Sequence, residues 1–278
     1  MLTIKFDLLD FEEVEIIPIS DVHVGNPLSD IQTLHDTISY INAEPDNPKR
    51  ARICLLNGDL TESITRNSVG NIYEQTMSPQ VQVATMIQML KPLSEPREHY
   101  PLGKILSYCG GNHDTDRYKD TGITASESIA VGLGLEERYS AEGCYSFIRL
   151  HRSHDNSGHI VIGTVYNQHM TGSGTTAGGR ANRIERLGSS VYANLIVGSH
   201  FHQPMTFKED YILPFNQTCS LVQSTITYCI TNAFLRYGSY AQKTGLRPSS
   251  IKVPRIFLTQ ERMKDAKGTR YINVEVLL

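Results

Sequence analysis

No Cys-x-x-Cys pair occurs anywhere in the 278 residues, and the five cysteines (Cys54, Cys109, Cys144, Cys219 and Cys229) are odd in number and widely scattered. That spacing indicates neither a disulfide framework nor a thiolate zinc cage. Cys54 and Cys109 fall within apolar runs and read as small buried core residues, so a reducing, cytoplasmic setting is the expectation. The chain also lacks any uninterrupted apolar stretch approaching the roughly 18 residues of a membrane span. Its opening, "MLTIKFDLLDFEEVEIIPIS", has no basic start, unbroken apolar core or small-residue cleavage site of a secretory signal. A net charge of -3 supplies no global basic footprint for nucleic acid, while leaving room for a local basic groove. There is no internal repeat, low-complexity tract or linker, and we expect one domain over residues 1–278.

What is present is an alternation of buried strands and amphipathic helices. "LTIKFDLL" alternates Leu2, Ile4, Phe6 and Leu8 as a half-buried strand does, and "VEIIPIS" is expected to be its hairpin partner. "IQTLHDTISYI" puts Ile31, Leu34, Ile38 and Ile41 on one helical face. "ARICLLNG", "KILSYCG" and "YANLIVGS" read as fully buried strands. "SPQVQVATMIQMLKPL" begins with Ser78 as N-cap and Pro79 at the first helical position. "SESIAVGL" is a short helix, and "GGRANRIERLG" another with Gly188 as its stop. "GCYSFIRL" and "HIVIGTVYN" flank a polar turn as a hairpin, and residues 206–278 read as mainly β.

Ligands in open α/β sheets gather at the carboxyl ends of strands, and five strand ends here carry Asp, Asn or His. "IIPIS" runs into Asp21 and His23, and "ICLLN" into Gly58-Asp59. "ILSYC" runs into Gly111-Asn112-His113-Asp114, "VIGTVYNQ" into His169, and "LIVGS" into His200 and His202. Residues two apart in an extended chain point the same way, so Asp21 with His23, and His200 with His202, converge beyond their strands. His35, His99, His151, His154 and His159 have no such setting and read as surface or turn residues.

In this order, "DVH", "GD", "GNHD", "QH" and "SHFH" resemble the motifs of the calcineurin-like metallophosphoesterases, over residues 21–202. The resemblance implies an α/β fold of two packed mixed β-sheets flanked by helices, a four-layer αββα sandwich. It implies two divalent metal ions: Asp21, His23, Asp59 and His202 at one, and Asp59, Asn112, His169 and His200 at the other, with Asp59 shared. Oxygen and imidazole donors without thiolate suit manganese best, with iron or zinc as alternatives. By the same resemblance, His113 stabilises developing charge or protonates the leaving oxygen, and Asp114 orients His113. The reaction implied is hydrolysis of a phosphate ester by in-line attack of a hydroxide bridging the ions. One departure stands out: the family pattern has Gly immediately before the first His of the last motif, where this chain has Ser199. If that position needs a positive φ, Ser199 is strained there.

The substrate is expected to be a phosphodiester or nucleic acid, DNA included, since "DVHVG" is also similar to the opening motif of double-strand-break repair nucleases. Arg180, Arg183 and Arg117 are the candidate substrate contacts, the first two beside a glycine-rich loop that permits close approach. Two alternatives stay open: a phosphomonoesterase for small molecules or phosphoproteins, and a non-catalytic phosphate-binding module.

Overall fold

The run Arg50–Asn57 (β3) is almost wholly buried because it is covered on both faces. Ala51, Ile53 and Leu55 join one apolar cluster while Cys54 and Leu56 join another, which is why this strand reads as a continuous apolar run. The computed structural model that shows this describes residues 1–64, 72–116, 122–151, 159–215, 220–238, 242, 248, 251–262 and 270–278.

The strands form two six-stranded sheets. In the first, the spatial order is β1 (Leu2–Leu8), β6 (Cys144–His151), β7 (Ile160–His169), β8 (Leu195–Ser199), β10 (Ser220–Ile230) and β9 (Met205–Phe215). In the second it is β12 (Arg270–Leu277), β11 (Arg255–Arg262), β2 (Glu13–Ile19), β3, β4 (Ile105–Cys109) and β5 (Tyr139–Ser140). Both are mixed: β7, β8 and β10 run parallel, as do β2, β3, β4 and β5, while β6–β7, β9–β10, β2–β11 and β11–β12 are antiparallel.

The sheets pack face to face. Phe6, Ile148, Val165, Leu195 and Val197 of the first meet Val14, Ile16, Ile53, Leu55, Ile256 and Leu258 of the second in one buried cluster. Burying each such side chain is worth about 1.5–3 kcal/mol. The outer face of the second sheet is covered by α1 (Ile31–Asn42), α2 (Pro79–Ser94) and α4 (Ala125–Leu133) through Leu34, Ile41, Met86, Leu90 and Ile129. The outer face of the first sheet is covered by α5 (Ala177–Gly188), whose Ile184 packs with Tyr166, Ile196 and Tyr228. The layers are therefore helix, sheet, sheet, helix, as expected. A short α3 (Asn112–Asp116) follows β4. No described helix is long and apolar enough to cross a membrane.

Several local expectations hold. The Ser78 side chain accepts from the Val81 amide at the start of α2, and β6 and β7 form the hairpin. Others are corrected. β2 is not the hairpin partner of β1: β1 lies parallel to β6, and β2 lies parallel to β3 in the other sheet. Alternation identified a buried face on each strand, and both faces do meet in the same core, but periodicity says nothing about lateral partners. Gly188 is the last residue of α5 and not the residue beyond it, Ser189 being the cap. A Cβ on Gly188 would stand 1.9 Å from the Tyr228 hydroxyl oxygen, so close packing and not a left-handed turn excludes a side chain there. The strand β9 falls within the stretch expected to be mainly β, but its own run is not marked as a strand by the sequence, since Lys208, Glu209 and Asp210 interrupt its apolar pattern on a sheet edge.

Candidate metal centre

The five expected strand ends lie at the carboxyl edges of neighbouring strands: β2, β3 and β4 in one sheet, β7 and β8 in the other. Asp21 and His23 follow β2, Asp59 follows β3, Asn112 opens α3 after β4, His169 ends β7, and His200 and His202 follow β8. Donor atoms of Asp21, His23 and His202 lie within 4.8 Å of one another, as do those of Asp59, His169 and His200. His202 Nε2 is 3.2 Å from Asp21 Oδ1. His169 Nε2 is 3.2 Å from Asp59 Oδ2 and 3.0 Å from Asn112 Oδ1. Asp59 Oδ2 also stands 4.0 Å from His23 Nε2, so Asp59, a member of the second triad, faces the first as well.

The backbone is bent to make this possible. Six described non-glycine residues have positive φ, and five of them are candidate ligands: Asp21 (51°), His23 (48°), Asp59 (50°), His200 (90°) and His202 (57°). Left-handed backbone costs an L-residue about 1–2 kcal/mol, and such outliers persist where the surroundings over-determine them. The strain foreseen for Ser199 falls instead on His200. Two motif glycines admit the crowding: a Cβ on Gly111 would be 2.1 Å from Asp59 Oδ1, and one on Gly58 (φ 80°) would be 2.7 Å from His169 Nδ1.

His169 and His200 each have one ring nitrogen held by a backbone carbonyl, which turns the other into the cluster. The Asn57 carbonyl is 2.9 Å from His169 Nδ1, which, as donor there, leaves Nε2 facing Asp59. The Gly172 carbonyl is 3.0 Å from His200 Nε2, leaving Nδ1. Buried His23 has Glu62 Oε2 3.0 Å from Nδ1, and its Nε2 has no hydrogen-bond partner among the described residues. A buried polar atom without a partner is costly, and a cation held with Asp21, Asp59 and His202 would satisfy this one. The donor set therefore fits divalent cations.

The electrostatics agree. Asp21 and Asp59 are buried and adjacent. Burial opposes their ionisation, but His202 beside Asp21 and His169 beside Asp59 hold both carboxyls below the ordinary range. Burial likewise works against a charged His169, yet the Asp59 carboxylate pushes it up to about 10. His200 is shifted down, by burial and then by His169. A group whose folded value is raised stabilises the fold below its unfolded value, near 6.5, and loses that contribution as pH rises toward 10. Metal-free protein is thus expected to show a falling thermal midpoint between pH 6.5 and 10, whereas cation affinity rises over the same range because the ligand must be neutral. A midpoint that stays flat or climbs across this interval would contradict the His169–Asp59 pairing.

His113 lies beside the cluster. Its amide donates to Asp59 Oδ1 at 2.9 Å, its ring meets the His23 ring edge-on at 4.6 Å, and its Nδ1 is 3.3 Å from the Glu62 carbonyl oxygen. Burial alone would lower its pKa, but the Asp59 and Glu62 carboxylates raise it overall. Asp114 makes no described hydrogen bond to that ring, although its charge is among those that favour the ring's charged form. Its carboxylate accepts from the Thr61 hydroxyl at 2.8 Å and from the Thr61 and Gly111 amides at 3.3 Å each. It ties the loop after β3 to the loop after β4, and orientation of His113 falls to the Glu62 carbonyl. Glu62 itself was missed, although it stands three residues after Asp59 in "GDLTE"; a single carboxylate at that offset carries no signal without the fold.

Of the candidate substrate contacts, Arg180 is buried and donates to the Gly174 carbonyl at 3.2 Å, so it supports the glycine loop. Arg183 is exposed, and a Cβ on Gly172 would stand 2.9 Å from its Nη2, which places its guanidinium against the loop that holds His200. Arg117 lies outside the described residues, as does His154. His35 and His159 are exposed, and exposed His99 pairs with Asp10 at 3.0 Å.

No family model and no curated protein matches the chain. Among solved structures it is similar to a predicted phosphoesterase from Streptococcus pneumoniae TIGR4, at 10% identity over 95% of this chain and 89% of that chain, TM-score 0.38. It is also similar to a Vps29 mutant from Entamoeba histolytica (10% identity, 95% and 99% covered, TM-score 0.39). A metallophosphoesterase from Sphaerobacter thermophilus is a third (13% identity, 95% and 88% covered, TM-score 0.37). The chain's own ordered motifs, hung from the carboxyl edges of two facing six-stranded sheets, are similar to the calcineurin-like metallophosphoesterase arrangement.

Proposed function

We propose that this chain is a metal-dependent phosphoric ester hydrolase, acting as a phosphodiesterase or nuclease. The observation that carries the reading is the pair of donor triads, Asp21–His23–His202 and Asp59–His169–His200, five of whose residues hold left-handed backbone. Asp21, His23, Asp59 and His202 would hold one divalent cation and Asp59, Asn112, His169 and His200 a second, with manganese the best match and iron or zinc the alternatives. Such cations, when bound, neutralise phosphoryl oxygens and bring the pKa of water from 15.7 down to about 7.

The chain's own groups do the rest. His113 is anchored by its amide on Asp59 and by Nδ1 on the Glu62 carbonyl, which leaves Nε2 as its uncommitted ring nitrogen. The Asp59 and Glu62 carboxylates favour its charged form, as a group that gives a proton to the leaving oxygen requires. Arg183 supplies a positive charge on the rim beside His200, suited to a flanking phosphate of a diester chain. The four described cysteines are free and buried, in keeping with a reducing, cytoplasmic compartment.

The test is a substrate panel with manganese: bis-p-nitrophenyl phosphate, p-nitrophenyl phosphate, and single- and double-stranded DNA. We expect the diester to exceed the monoester in kcat/KM by about tenfold or more, roughly 1.4 kcal/mol of differential stabilisation. Preference for the monoester would replace the reading with a phosphomonoesterase. Metal uptake without turnover of any substrate would leave a phosphate-binding module.

A further inference from the structure

We propose that Ser199 is a positioning residue for His169, and that it joins the two sheets beneath one of the two ligand triads. The proposal rests on the metal-centre reading above for what His169 does, and on the hydrogen bonds alone for how it is held.

Ser199 occupies the position where the family pattern has glycine, and a glycine there would have no side chain to contribute. In this chain the residue is fully buried, and every bond its hydroxyl makes goes to a group at the end of a neighbouring strand. The hydroxyl donates to the Asn57 carbonyl and accepts from Asn57 Nδ2 at 3.0 Å. Its second lone pair faces His169 Nδ1 at 2.9 Å, and the Asn57 carbonyl lies at 2.9 Å from the same nitrogen. A hydroxyl has one proton and two lone pairs. With the proton given to Asn57 and one lone pair taken by the Asn57 amide, what remains for His169 Nδ1 is an acceptor. Two acceptors thus converge on Nδ1, so Nδ1 carries a proton, and Nε2 is the nitrogen turned to Asp59 and Asn112, where a cation would take the place of its own proton.

The knot also crosses between layers. Asn57 ends β3 of one sheet, while His169 and Ser199 end β7 and β8 of the other. Asn57 is fixed in turn: its Oδ1 accepts from Asn167 Nδ2 at 3.0 Å, and Asn167 Oδ1 accepts from the Ser107 hydroxyl at 2.7 Å. Asn57, Ser107, Asn167 and Ser199 are fully buried. A satisfied buried polar chain of this kind rigidifies what it touches, and here it touches a candidate ligand from below.

The test compares wild type with Ser199→Ala by two measurements. The first is nitrogen-15 NMR of the His169 ring in metal-free protein. Wild type is expected to show Nδ1 protonated with slow solvent exchange, and Ser199→Ala to show faster exchange of that proton. The second is calorimetric titration with manganese alone: the variant is expected to lose about tenfold in affinity at one of two binding steps and to keep the other. Unchanged ring spectra overturn the proposal, and so does equal weakening of both steps. Absence of manganese binding in wild type would sink the metal-centre reading instead, with the ring spectrum still judging Ser199. Should Ser199→Ala fail to fold, Ser199→Cys retains the volume with a weaker donor and is read the same way.

Discussion

Replacing His113 by Ala is expected to lower kcat by about 10²–10⁴, the span typical of a lost general acid, while manganese content per chain stays at the wild-type value. The argument is geometric. The described links from His113 to Asp59 are its backbone amide and an electrostatic contribution from its ring, and the ring nitrogen Nδ1 is engaged by the Glu62 carbonyl. Alanine keeps the amide bond to Asp59 and removes only the ring. The loss should also be leaving-group dependent: an ester whose leaving oxygen needs no proton, such as p-nitrophenolate, should suffer less than DNA. Loss of metal in His113→Ala, measured by elemental analysis, would move His113 from proton donor to ligand.

Asp59→Asn is expected to be the more severe change, reducing turnover to the background rate and depressing both manganese-binding steps. Asparagine is the fair test because it preserves shape, can still accept the His113 amide through Oδ1, and tolerates the left-handed backbone that Asp59 adopts (φ 50°). What it removes is the charge that faces His169 at 3.2 Å and His23 at 4.0 Å. A second signature follows from the same charge. His169 is pushed up to about 10 with the Asp59 carboxylate as the leading cause that raises it, so the alkaline fall in thermal midpoint of metal-free protein should shrink in the variant. If Asp59→Asn binds two manganese ions with wild-type affinity, the shared-carboxylate arrangement is wrong.

Asp21 with His23, and His200 with His202, stood out in the sequence as pairs two apart beyond a buried strand, and they do reach the cluster, but through left-handed and not extended backbone. Motif order supplied the rest, and the double coverage of β3 and β8 was readable in their unbroken apolar runs. What stayed hidden was what spacing does not encode. Glu62 and Ser199 act through hydrogen-bond partners or charges 39 and 30 residues away (Glu62–His23 and Ser199–His169). Adjacency in sequence suggested a bond from Asp114 to His113, but the Asp114 carboxylate turns to Thr61 and Gly111, and only its charge reaches the His113 ring. The pairing of β1 with β6 spans more than 130 residues of chain, a distance at which alternation is silent.

The donors are also divided unequally between the layers. Asp21, His23, Asp59 and Asn112 hang from the second sheet, and His169, His200 and His202 from the first. Neither group of proposed partners for one cation can be completed from a single sheet, so each ion would act as a rivet through the upper rim of the sandwich. Chelation should therefore loosen that rim before the apolar interior gives way, with amide protons near Gly58 and His200 becoming exchangeable ahead of those in the middle of β3 and β8.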